Sequence, residues 1–287
     1  MNSIVNMANG WRLFWMATTP VSAIMVVAML ATDTSTGPGV SALIQLSVRC
    51  AVPLLFVTFA ASSIQSLFPG PFGRWLLRNR KYIGLSFAAA MAWQGFFILW
   101  MVTIHADYYI SEVYVLRDAI EGVVGYVFLA AMTITSFPFG RRRLSSKQWK
   151  WLHKIGIYYL WAYAFSVYWW ALFYYRNPVL LDYVYYWLGF AAWAVRAAAW
   201  SRSRRRRAAS GVFTTAGLAG VAFVAAGLLA AGLGLLWYPL AERLLTGYAF
   251  TRIPETYLPY WPFEPFLPLV LILAGAACLS AGAGARS

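Results

Sequence analysis

Histidine is almost missing from this chain: His105 and His153 are the only two in 287 residues. That count alone excludes a histidine-rich metal site. Charge is scarce as well, at 11% Asp, Glu, Lys and Arg, where soluble domains carry roughly 25%. Acids are the thinner part of it, nine against 23 basic residues, leaving a net charge of +14. The two cysteines, Cys50 and Cys278, stand alone in apolar stretches without CxxC or metal-ligand spacing, and read as ordinary buried thiols. No GxGxxG follows a strand, and neither a P-loop nor an HExxH motif is present. The chain therefore offers no soluble domain for FAD or NAD. Ser/His/Asp catalysis has no local signature, and no catalytic residue is assigned. A cleaved leader is not expected, because the first apolar run, about Leu13 to Ala31, exceeds a signal h-region and no A-x-A site follows it.

Apolar residues are what the chain has in excess, 61% hydrophobic and 18% aromatic. A bilayer core of about 30 Å takes about 20 apolar residues per helix. Eight stretches qualify, near 11–31, 41–67, 82–105, 113–136, 152–175, 181–200, 212–238 and 264–284. Lipid offers the backbone no hydrogen-bond partner, so only helices or a closed barrel can span it, and the short alternating segments of a barrel are not seen. The fold class predicted is all-α, a polytopic membrane protein of about eight transmembrane helices.

Basic residues gather in three connections. Arg74, Arg78, Arg80 and Lys81 lie between helices two and three; Arg141, Arg142, Arg143, Lys147, Lys150 and Lys154 between four and five; Arg196, Arg202 and Arg204–Arg207 around six and seven. Two helices separate each connection from the next, so all three share one face, and the positive-inside rule makes it cytoplasmic. The acids Asp33, Asp107, Glu112, Asp118, Glu121, Asp182, Glu242, Glu255 and Glu264 fall at or near the opposite face. The expected location is the inner (plasma) membrane, multi-pass, with both termini cytoplasmic. The run SRSRRRR at 201–207 then reads as a loop held against anionic lipid, at about 1 kcal/mol per basic residue, and no nucleic acid is expected as a partner.

Beyond that run the character changes. Gly217, Gly220, Gly227 and Gly232 on helix seven would let a neighbouring helix approach closely. The segment 237–266 is rich in Trp, Tyr and Pro and is expected along the outer interface. The chain divides into a six-helix part, 1–210, and a two-helix extension, 211–287.

Three stretches resemble one family. RNRKYIGLSFAAAMAWQGFF (78–97) is similar to the basic start of its third helix, YVFLAAMTITSF (126–137) to its fourth, and RRLSSKQWKWLHKIGIYY (142–159) to the basic loop and W-x-x-L-H start of its fifth. The family is the ferric-reductase-like transmembrane domain, which includes the heme-binding membrane subunit of the methionine-sulfoxide reductase system. The resemblance covers about 42–200 and implies a six-helix ferric-reductase-like core with b-type heme held by histidines on the third and fifth helices. Most of those histidines are gone. The third-helix position holds Gln94, and the second fifth-helix histidine, expected 13 or 14 residues past His153, meets Ser166 or Val167.

His105 and His153 cannot replace the missing pair. They sit at opposite ends of parallel helices, roughly 20 residues along, which is about 30 Å in depth. His153 remains the single cofactor-binding candidate, for a lone heme b that is five-coordinate or has Met or Tyr opposite; otherwise it donates to a backbone carbonyl or a lipid phosphate. No cofactor is the favoured reading. Arg49 is the other intramembrane feature, roughly 12 Å inside helix two. A charge at that depth is costly and normally paired, and Asp118 and Glu121 at the start of helix four are its expected counter-charges.

Three functions follow. The first is a heme-less subunit that docks on another membrane protein or assembles a larger membrane complex. The second is an oxidoreductase membrane subunit with no flavin domain of its own, carrying electrons on one heme b or a quinone. The third is a carrier of a small hydrophobic ligand, resting on Arg49 and its acids. The dense aromatic stretches 158–175 and 183–193 are read first as packing and interface anchors.

Overall fold

The computed structural model describes residues 8–173, 178–205, 215–233 and 266–281. Among them no strand occurs, and eight long helices account for the fold: α1 Trp11–Ala31, α2 Gly37–Leu67, α3 Pro71–Ile104, α4 Leu116–Ile134, α5 Ser146–Phe173, α6 Leu180–Arg205, α7 Thr215–Gly232 and α8 Leu267–Ala281. Four of these, α1, α2, α3 and α7, are long and apolar enough to cross a membrane by length and composition. The others are shorter or dilute their apolar runs with charged ends and Tyr-rich faces. The aromatic segment 237–266 lies outside the described residues except for its last residue.

Two helices start well before their apolar runs. α3 begins at Pro71, behind Gly70, so that Arg74, Arg78, Arg80 and Lys81 ride on a helix instead of a loop. Proline at N1 has the right φ already set and lacks only an N–H that would be orphaned anyway. α5 begins at Ser146 because Ser145 and Gln148 cap each other: the Gln148 N–H donates to Ser145 Oγ at 3.2 Å, and the Ser145 N–H to Gln148 Oε1 at 2.9 Å. Gly10, just ahead of α1, has φ of 61°, a left-handed conformation that glycine takes without a Cβ clash.

The chain forms two compact units, residues 1–65 with 69–164 and residues 66–68 with 165–287. In the first, α1 is pegged to α3 along its length. The Gly10 N–H donates to Asn79 Oδ1 (2.8 Å), Asn79 Nδ2 to Asn9 Oδ1 (2.9 Å), Trp75 Nε1 to the Ala8 carbonyl (2.8 Å) and Trp93 Nε1 to Ser22 Oγ (3.1 Å). Satisfying these donors inside the bundle matters because lipid supplies no alternative partner. Two apolar clusters fill the space between helices, Met25, Val40, Leu43, Phe97 and Met101 in one and Ala61, Leu76 and Ile83 in the other. Phe59 on α2 is fully buried against α5, stacked on Trp161 at 5.1 Å and edge-on to Tyr158.

Contacts also sort this unit into a basic end and an acidic end. At the basic end the Trp11 ring stacks on Phe137 at 6.2 Å, and Lys81 Nζ lies 5.3 Å from the same ring. The start of α1, the first half of α3 and the α4–α5 turn therefore meet there. At the acidic end Tyr108 covers Gly37 so closely that a Cβ would collide with its ring. That contact joins the α1–α2 connection to the α3–α4 connection, which holds Asp107 and Glu112.

In the second unit α7 and α8 come into backbone contact. A Cβ on Gly220 would stand 2.8 Å from the Gly275 carbonyl, one on Gly227 would stand 2.7 Å from that of Pro268, and one on Gly275 would stand 2.6 Å from that of Gly220. The close approach expected from helix seven is thus made to the chain's own eighth helix. Among the described residues Gly232 takes no part in this contact, with nothing within 4 Å. α6 joins through Ser201 Oγ, which donates to the Ala276 carbonyl at 3.4 Å; of the aromatic stretches Trp169, Phe165 and Tyr186 are almost fully buried, whereas Tyr183 and Trp187 are exposed. Arg202, from the basic run, donates to the Leu67 carbonyl at 2.7 Å and to that of Ser66 at 3.4 Å.

Candidate functional site

His153 lies about two turns into α5, and its surroundings are built by that helix start. Trp149, one turn earlier, lies 4.4 Å from the imidazole ring and donates through Nε1 to the Thr135 carbonyl at 3.1 Å. The Thr135 hydroxyl is 3.0 Å from His153 Nε2 and also 2.7 Å from the Ala131 carbonyl. A hydroxyl has one proton. With that proton on the Ala131 carbonyl, the hydrogen on His153 must sit on Nε2 and point at Thr135 Oγ1. Arg141 closes the cluster, its guanidinium 5.3 Å from the Trp149 ring centre and bonded to the Leu144 carbonyl at 2.7 Å and to Ser146 Oγ at 3.1 Å.

Gln94, at the third-helix position, is matched in the same way. Tyr126 on α4 donates its hydroxyl to Gln94 Oε1 at 2.8 Å, with the Met91 carbonyl at 3.1 Å as a second acceptor. Tyr126 also fills the space beside Gly95, 3.5 Å from where a Cβ would be. His105 ends α3 at the acidic end, where its Nε2 lies 3.1 Å from the Thr34 carbonyl and so carries the hydrogen. The two histidines stand at opposite ends of the bundle and share no partner. Ser166 is a half-buried residue of the second unit.

These residues do not fit a bis-histidine heme. One imidazole is available, and the nitrogen it would offer is occupied by Thr135. Two glycines on α4 and α5 are filled as well: Gly156 by Met132 Sδ and Phe128, and Gly125 by Tyr159 and Leu160. Among the described residues no group of three or more His, Cys, Asp or Glu is placed to hold a metal ion.

At the acidic end Asp118 and Glu121 meet a cation absent from the sequence-based expectation. Arg117 Nε donates to Asp118 Oδ1 at 2.8 Å and lies 3.8 Å from Glu121 Oε1, one turn on. Its signal was in the sequence, since R-D-x-x-E places Arg and Glu four apart on one helical face. Tyr159 donates to the Glu121 carbonyl at 2.9 Å and ties this turn to α5. Arg49 is half-buried on α2, beside Cys50, which packs against the Met25–Phe97 cluster.

Comparison with known proteins gives one informative likeness. The chain is similar to the protein-methionine-sulfoxide reductase heme-binding subunit MsrQ of Herminiimonas arsenicoxydans, 31% identical over 104 residues. That stretch is 33% of this chain and 44% of the relative, so less than half of the relative's length is matched. No family model matches, and no solved structure matches. Together with the apolar helices, the likeness makes this a helical, multi-pass membrane protein distantly similar to the heme-binding subunit of a reductase.

Proposed function

We propose that this protein is a heme-less, ferric-reductase-like membrane subunit that works by docking on another membrane protein. Its frame would be eight spans with both termini on the cytoplasmic side of the inner membrane, a six-helix core over 1–210 and a two-helix extension over 211–287. The observation that carries the reading is the satisfaction of the former ligand positions by protein partners. Gln94 is bonded to Tyr126 at 2.8 Å and His153 to Thr135 at 3.0 Å, with side chains packed over Gly125 and Gly156. Buried polar groups hydrogen-bonded in this way hold helices together without a cofactor. Because α7 spends its glycine face on α8, the docking surface falls to other parts of the chain.

The similarity to a heme-binding subunit favours a second reading, a redox subunit with a single heme b on His153 or a bound quinone, passing electrons to its partner. That reading requires Thr135 to release Nε2. Absorbance spectra of the purified protein, oxidised and dithionite-reduced, separate the two. A docking subunit gives no b-type alpha band. A sharp band at about one heme per chain, lost in His153→Ala, would overturn the first reading.

A further inference from the structure

We propose a seat for an anionic phospholipid head group at the basic end of the first unit, with Lys81 as the cation that meets the phosphate. The seat rests on the reading of this chain as a membrane bundle and adds to it a specific ligand at a specific place. Lys81 is exposed on α3, and its ammonium is flanked by two aromatic faces, 5.3 Å from the Phe137 ring centre and 5.8 Å from that of Tyr82. Both distances are inside the range of cation–π attraction, about 6 Å. Trp11 buttresses both rings, edge-on to Tyr82 at 5.5 Å and stacked on Phe137 at 6.2 Å, and Phe139 stacks on Phe137 from beyond at 5.9 Å. Three elements far apart in sequence thus hold one lysine in a fixed aromatic frame. Arg78, three residues earlier and on the same face of α3, is fixed as well, its Nη2 bonded to Asn9 Oδ1 at 2.9 Å.

Among the described residues this pair of cations meets no carboxylate. The described acids of the first unit, Asp33, Asp107, Glu112, Asp118 and Glu121, all lie at the other end. Trp11 and Phe139 are 47% and 62% exposed, so an apolar ledge adjoins the charge. A free phosphate would use only the cations, whereas a lipid covers the rings too, with its glycerol and upper acyl chain. The charge selects an anionic lipid over a zwitterionic one. A choline or ethanolamine group would have to stand among Lys81 and Arg78, and the ring faces that might receive it already hold the lysine.

Native mass spectrometry of the full-length protein tests this, with phosphatidylglycerol and phosphatidylcholine titrated separately onto delipidated protein. Purification from membranes as a folded monodisperse species checks the bundle reading first and independently. The wild type should retain one phosphatidylglycerol in preference to phosphatidylcholine. Lys81→Gln should weaken that preference about fivefold, the worth of one juxtamembrane cation, and Lys81→Arg should keep it. Phe137→Leu should weaken it without changing the charge, and Lys147→Gln, at the same end but outside the frame, should not. Equal loss in Lys81→Gln and Lys147→Gln would reduce the seat to diffuse charge and overturn the proposal. So would equal retention of phosphatidylcholine, or displacement of the lipid by millimolar inorganic phosphate. Unchanged lipid binding in Lys81→Gln together with loss of a co-purifying membrane protein would assign the surface to that protein instead.

Discussion

Adding one methyl group to Gly220 probes the close α7–α8 contact in the second unit. A Cβ there would stand 2.6 Å from Leu279 Cγ, 2.8 Å from the Gly275 carbonyl and 2.9 Å from the Leu279 amide nitrogen. Two of these are backbone atoms, which no rotamer change can move aside. To regain an ordinary contact of 3.4 Å the Gly275 carbonyl has to retreat by about 0.6 Å. Withdrawal of that size along a packed face forfeits a quarter or more of each dispersion well it touches. Overpacking of this kind costs about 1–3 kcal/mol. Alanine returns up to about 1 kcal/mol as a better helix former, so an internal reference is needed. Gly232 supplies it, being on the same helix with nothing within 4 Å among the described residues. Gly220→Ala is expected to fall below Gly232→Ala by about 1–3 kcal/mol. Cys278, half-buried on α8, reports the loss directly. In a Cys50→Ala background it is the remaining thiol, and heating with a thiol-reactive dye at one fixed rate follows its unmasking. If Gly220→Ala melts with Gly232→Ala or above it, the α7–α8 packing described above is wrong.

Other outcomes follow from the same geometry. Tyr126→Phe should cost about 0.6 kcal/mol and at most about 1.7, and adding Gln94→Leu should cost little more; simple additivity of the two would mean that the bond does not hold α3 to α4. Reporter fusions at residues 205 and 250 should read cytoplasmic and external, and the reverse would invert the orientation. For Arg49, we expect a bond to Asp118 or Glu121 in addition to their contact with Arg117. Arg49→Met combined with Glu121→Leu should then recover stability lost in either single variant, because removing both partners is tolerated better than orphaning one; two independent losses would refute the pair.

The apolar runs of α1, α2 and α7 were legible because membrane helices announce themselves by composition, which no distant residue has to complete. Helix starts were less so. Arg74 to Lys81 look like a loop because charge ends a membrane span, yet charge opposes a helix only inside hydrocarbon, and Pro71 starts one in the head-group layer. The Ser145–Gln148 cap was readable and would have moved the start of α5 to its true place. Site residues divide along the same line. That His153 and Gln94 lack partner histidines is a matter of counting, but their actual partners are set by which helix faces meet. Thr135 and Tyr126 are 18 and 32 residues away from them, and no periodicity pairs those faces. The glycines of α7 showed that a helix would come close without showing that the chain carries that helix itself.

Arg202 adds a matter of timing. The carbonyls of Ser66 and Leu67, at the C-terminus of α2, receive the guanidinium of a residue 135 positions downstream. At a synthesis rate of about 5–20 residues per second, that donor emerges about 7–27 s after the acceptors it serves. For that interval the end of the second helix has to be held by water and lipid head groups at the bilayer surface. A ribosome that stalled, or a message that ended, before residue 202 would release a chain with that helix end uncapped, a ready mark by which a membrane protease could tell a truncated product from a finished one.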